Sequence, residues 1–225
     1  ALVLLQGERV DPGAIERALL WLQSSSPSAL LLASAAASVR HATSPRGQGQ
    51  RRRALAIAGR LRRRCHQNQL PLVANQDPLR LVLHTAAMGI NGLDADGWLM
   101  ERGVIGELPE PGTLTFCLGM QPPAWLEWRL PRHLLALRRA LGGTPLPPFS
   151  APPLPLVASP AMPLQLAWRS PAIGVPLADA VGRIAAEPLC PYPPGIPLLV
   201  PGERIDGDRA AWLANQQALW PGQIA

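Results

Sequence analysis

Hydrophobic positions recur along most of this chain at spacings that assign them to elements. Ala1–Leu5 is an unbroken apolar run and predicts a buried strand. Asp11-Pro12 reads as an N-cap followed by proline at the first helical position; Ile15, Ala18, Leu19 and Leu22 fall on one face of the helix that follows. That helix stops at Ser24-Ser25-Ser26-Pro27, because proline steers the residue before it out of helical backbone. Ala29–Ala37 is small and apolar and predicts a second, closely packed helix. Thr43–Gln50, rich in Ser, Gly and Gln, reads as a boundary. A helix then runs from Arg51 to Gln67 with Leu55, Ala58 and Leu61 on one side and arginines around the rest.

Leu79, Leu81 and Leu83 alternate and predict a strand over Leu79–Thr85. Gly89–Gly92 turns into a short helix at Asp94–Arg102, closed by Gly103. Val104–Glu107 reads as extended, Pro109–Gly112 as a turn, Thr113–Leu118 as a strand and Arg132–Leu141 as a helix. Gly142–Pro163 is proline-rich and almost uncharged, a connector that is ordered only where it packs. Beyond it the pattern predicts a helix at Leu177–Ala186, an extended, turn-rich stretch at Pro191–Pro201 and a last helix at Asp206–Leu219. No internal repeat is visible.

With 48% hydrophobic and 16% charged residues the chain can bury a core, which excludes a disordered protein. All 21 basic residues are arginine, so the chain has no amine side chain able to act as a nucleophile or form a Schiff base. The net charge of +6 is concentrated in Arg51–Arg64. Such a run suggests nucleic acid, but it lacks interleaved aromatics and any nucleic-acid motif, so a solvated or subunit-facing helix is expected and no nucleic-acid partner. Cys65, Cys117 and Cys190 are far apart and odd in number, which fits reduced thiols rather than disulfides or a metal site. Ala29–Val39 is too short to span a bilayer, and no basic segment precedes the apolar start. A soluble, cytoplasmic protein without a membrane partner is expected. His84 lies on the outward side of its strand, and His41, His66 and His133 have no partner pattern, so no metal or nucleophile–histidine constellation can be argued. Pro191–Pro194 and the connector could serve as polyproline ligands, but Ile196, Leu198, Leu199 and Val200 point to a packed segment.

Three segments together resemble the Orn/Lys/Arg decarboxylases, the aminotransferase-like enzymes that use pyridoxal 5'-phosphate. They are Cys190-Pro191-Tyr192-Pro193-Pro194-Gly195-Ile196-Pro197 with Pro201-Gly202-Glu203, then Gln23–Ser28 with Leu31–Ser34, and Glu101–Glu107 with the Thr113–Leu118 strand. The resemblance implies an α/β chain: the end of an aminotransferase-like cofactor domain (1–45), a small α/β domain (46–141), the connector (142–163) and a C-terminal α+β domain (164–225). It implies a decarboxylase of arginine, lysine or ornithine leading to polyamines or their precursors, working as a homodimer or larger homo-oligomer. The family's cofactor-bearing lysine would lie upstream of Ala1, so this chain is expected to be an inactive fragment with no catalytic residue of its own. The other reading is a non-catalytic regulatory or interaction paralogue. Ser24, Ser25 and Ser26 would hold the cofactor phosphate across the subunit interface, or else form a plain helix stop. The family usually has threonine in this run and an aromatic where Ala29 stands. Glu107 would face the far amine of the substrate, or else be a solvated loop glutamate.

Overall fold

A computed structural model of the chain describes residues 3–147, 151–153, 155, 157–192 and 195–219. Two helices open it, α1 (Pro12–Leu22) and α2 (Ala29–Thr43). Asp11 caps α1 as its sequence predicts, its carboxylate accepting from the amides of Gly13 (3.2 Å) and Ala14 (3.1 Å). The close packing expected of the second helix is absent. No residue of α1 or α2 is buried, and Trp21, Leu30 and Leu31 lie open; α2 meets α3 near their junction, where His41 Nε2 and Gln50 Oε1 are 2.6 Å apart. Val3–Leu5, expected in a buried strand, are likewise exposed and irregular; Ala1 and Leu2 lie outside the described residues.

The Thr43–Gln50 stretch is helical from Pro45 onward. Ser44 both closes α2 and opens α3 (Pro45–Gln67): its amide donates to the carbonyls of Arg40 and His41, and its Oγ accepts from the Gly47 amide at 3.1 Å. Proline at the first helical position helps this start. Gly47 permits the tight junction, since a Cβ there would lie 1.9 Å from the His41 carbonyl oxygen. The buried line of α3 is Ala54, Ile57, Ala58, Leu61 and Cys65. Leu55, expected on that face, is more than a third exposed, because one residue rotates a helix by about 100°.

The middle of the chain is a four-stranded antiparallel sheet in the order β1-β2-β4-β3, formed by Leu72–Val73, Arg80–Leu83, Thr113–Cys117 and Leu108–Glu110 respectively. The central register pairs Leu81 with Phe116 and Leu83 with Leu114, so these four side chains point into one core; Leu79, expected on the same face, precedes the strand and is only half-buried. α3, α4 (Gly92–Met100) and α5 (Leu126–Leu141) supply the other side of it, with Leu99, Leu134 and Leu137 fully enclosed. β3 occupies part of the expected turn, which shrinks to Pro111-Gly112. α5 begins six residues ahead of the predicted start and passes through Pro131. Proline there forfeits one helical hydrogen bond, but Leu130, Pro131 and Leu134 are all buried and their packing offsets it.

The connector leaves this unit along its surface, with Gly143 and Leu146 donating to the carbonyls of Met88 (3.0 Å) and Ala86 (2.9 Å). A second core gathers Ala158, Ala180, Ala185, Leu198, Leu199, Ala210 and Leu213. Its elements are α6 (Leu164–Arg169), one turn of α7 (Leu177–Ala180), α8 (Gly207–Leu219) and single bridges such as Leu189–Leu199. The helix predicted over Leu177–Ala186 stops after that turn; Gly182 follows in the left-handed conformation, φ +83°. α6 was not apparent from the pattern. Among the described residues no helix is long and apolar enough to cross a membrane.

Candidate functional site

Glu107 stands on a well-fixed piece of backbone at the sheet edge. Its amide donates to the Thr115 carbonyl at 2.8 Å, extending the β3–β4 pairing by one step. Gly106 before it donates to Asp96 Oδ1 at 3.2 Å, and a Cβ at Gly106 would collide with Leu114 Cδ1 at 2.5 Å. The sequence therefore places the glutamate by glycine and by the sheet register, not by a flexible loop. Its side chain is exposed and has no ion-pair partner among the described residues. A carboxylate so held is free to accept an external cation.

Ser24, Ser25 and Ser26 form the exposed turn after α1, where the Ser26 amide donates to Ser24 Oγ at 3.2 Å. Hydroxyls and amides on such a turn suit a phosphate. Among the described residues, the cleft beside α5 and that in the C-terminal unit are lined by neither the serines nor Glu107.

Three arginines of α3 are committed within the fold. Arg60 Nε donates to Glu127 Oε2 on α5, Arg62 donates to the carbonyls of Pro78, Asp77 and Arg80, and the Arg64 guanidinium lies 2.9 Å from the Trp128 ring centroid. Sequence reasoning missed these partners because it placed Glu127 and Trp128 ahead of the helix that carries them. The signal available was Trp125-Leu126-Glu127-Trp128 leading straight into the predicted helix.

The described cysteines are free, and burial pushes the Cys65 thiol up to about 11 although Arg62 opposes the shift. Among the described residues no three His, Cys, Asp or Glu side chains converge as a metal site. The Cys190–Glu203 segment, apart from Pro193 and Pro194, which lie outside the described residues, is architectural. Leu189 and Leu199 pair, Glu203 Oε2 accepts from the Val200 amide at 2.9 Å, and Gly202 (φ +94°) passes so close to Met162 that a Cβ would lie 2.5 Å from its carbonyl oxygen.

Residues 150–220 match the family model described as Orn/Lys/Arg decarboxylase, C-terminal domain. A lysine decarboxylase of Pseudomonas aeruginosa is 68% identical over 31 residues, 14% of this chain and 4% of that protein. An arginine decarboxylase of Halalkalibacterium halodurans is 48% identical over 50 residues, 22% of this chain and 10% of its own. An ornithine decarboxylase of Haemophilus influenzae is 63% identical over 30 residues, covering 13% and 4% of the two chains. In fold, 96% of the chain superposes on 43% of the constitutive lysine decarboxylase of E. coli with a TM-score of 0.71 and 17% identity. The Francisella novicida lysine decarboxylase gives the same TM-score of 0.71 over 96% and 42% of the two chains, at 15% identity. Residues 150–220 thus match the C-terminal domain of the Orn/Lys/Arg decarboxylases, the chain as a whole shares the fold of the lysine decarboxylases, and it spans less than half the length of the solved structures it resembles.

Proposed function

We propose that the protein to which this chain belongs is a pyridoxal-phosphate-dependent decarboxylase of lysine, ornithine or arginine, feeding polyamine formation as a cytoplasmic homo-oligomer. The observation that carries this reading is the match of residues 150–220 to the decarboxylase C-terminal domain. The fold likeness over 96% of the chain supports it. On this reading α1 and α2 close an aminotransferase-like cofactor domain, and the sheet and the C-terminal core are the two smaller units that follow.

The residues present fit one end of the cofactor. The turn at Ser24, Ser25 and Ser26 offers exposed hydroxyls and amides to a phosphate dianion, across the interface with a second subunit. The aldehyde end needs an amine side chain, and this chain contains no lysine. That group comes from outside these 225 residues, and the chain alone is inactive. When bound, the cofactor acts as the electron sink for loss of the carboxylate. The part left to this chain is recognition of the substrate's far end. Glu107, fixed by Gly106 and by its bond to Thr115, accepts hydrogen bonds from the distal ammonium or guanidinium and so selects basic amino acids.

The test is steady-state kinetics of the protein completed with its lysine-bearing segment, at saturating cofactor. Glu107→Gln keeps the shape and removes the charge, and it raises KM for the basic substrate by about tenfold or more while cofactor affinity holds. A wild-type specificity constant in the variant removes Glu107 from the site. Absence of decarboxylation by the completed wild-type protein leaves the non-catalytic paralogue as the reading.

A further inference from the structure

We propose that the cleft between the 103–105 loop, the end of β4 and the first half of α5 is a binding site for a small amphiphilic carboxylate. The cleft encloses about 350 Å³, which suits a molecule of amino-acid to fatty-acid-fragment size. Its floor is apolar, made by Val104, Phe116, Leu126 and Leu130. Its charge is one-sided: Arg129 and His133 line it and no aspartate or glutamate does. The two stand four residues apart on α5, so their side chains emerge next to each other on one face.

Arg129 differs from the arginines that brace the fold. Arg60 and Arg209 each have a carboxylate partner, whereas Arg129 is exposed and makes no ion pair among the described residues. Its guanidinium lies over the Trp125 ring, 5.3 Å from the centroid. That stacking orients the planar cation while leaving its N–H edge free for a bidentate carboxylate. A ligand with an apolar body and one carboxylate meets both halves of the lining. A cation or a neutral polar molecule meets neither. The inference is independent of the decarboxylase reading, since Glu107 is acidic and does not line this cleft.

Cys117 supplies the readout, because it is exposed and lines the same cleft. Cys190, in the C-terminal unit, serves as the internal reference. The rate of alkylation of each cysteine by iodoacetamide is followed by peptide mass mapping on the 225-residue chain, with 4-phenylbutyrate as probe and 4-phenylbutyramide as its uncharged counterpart. Phenylbutyrate slows alkylation at Cys117 and leaves Cys190 unchanged, and the amide requires about tenfold higher concentration for the same protection. Arg129→Gln, a surface substitution, removes the difference between acid and amide; Arg129→Lys keeps part of it. Equal protection by acid and amide, protection that survives Arg129→Gln, or no protection at millimolar probe each overturn the site.

Discussion

Arg60 on α3 donates to Glu127 on α5, and this pair sets two helices side by side and parallel. The same alignment recurs further along, where Arg138 Nη1 donates to the carbonyl of Gln69 at 3.0 Å. Glu127 is nearly buried, with 12% of its side chain exposed, while Arg60 keeps 43%. Replacing Glu127 by Gln leaves Arg60 without its counter-charge at the helix interface. The expected cost is about 1–2 kcal/mol, discounted for Arg60's access to water. Urea titration of the two proteins measures it; an unchanged midpoint would show that the pair is as weak as ordinary surface salt bridges.

Thr85 is fully enclosed, and its Oγ1 has no hydrogen-bond partner among the described residues. A buried hydroxyl left unpaired costs about 1–3 kcal/mol. Thr85→Val replaces it with a methyl of similar size. The variant is expected to gain about 1 kcal/mol and to melt about 2–4 °C higher. A lower Tm would mean that the hydroxyl has a partner after all.

The acid response of the C-terminal core runs through Asp206. Burial alone would raise its carboxyl pKa, but hydrogen bonds from the Arg209 amide and guanidinium, with the arginine's charge, hold it below the usual carboxylate value. A lowered folded pKa means that Asp206 stabilises the fold above the unfolded pKa and ceases to do so as pH falls through the folded one. The buried Arg209 also donates to the Pro155 carbonyl, so losing Asp206 weakens the tie between connector and α8. Wild type is expected to melt above Asp206→Asn at pH 7, and the gap to close as pH drops below about 4. A gap independent of pH would assign the effect to something other than this carboxylate.

Gly47→Ala tests the helix junction. A methyl 1.9 Å from the His41 carbonyl oxygen forces α2 and α3 apart at Ser44. Amides at the end of α2 should then lose protection from hydrogen exchange while those of the sheet keep theirs. Equal protection in both proteins would show that the junction yields at no cost.

Local signals were easily read where the chain makes its own contacts within a few residues. Asp11-Pro12, the Leu81/Leu83 alternation and the start of α8 needed only caps and periodicity, and the structure has all of them. The errors arose where distant residues decide. The predicted α5 starts only after Pro131, because the proline's cost is local and the offsetting burial of Leu130 and Leu134 is not. Leu55 entered the predicted core because the arginines around it gave no hint of which side faced α5. The fixed backbone under Glu107 depends on Asp96 and Thr115, eleven and eight residues away, so no local pattern announced it. The proposed carboxylate cleft is assembled from three separate segments and was invisible for the same reason.

The uncovered faces of α1 and α2 have a thermodynamic meaning. A compact monomer of 24.1 kDa presents about 10,000 Å² to water, whereas this chain presents 15018 Å². The open side chains of α1 and α2 include Leu20, Trp21, Leu22, Leu30, Leu31 and Val39, so their hydration carries the heat-capacity signature of an unfolded segment even while the helices are intact. Calorimetry of the isolated chain would therefore register a smaller heat-capacity change on unfolding than its 225 residues warrant, with the missing part appearing when those faces are covered.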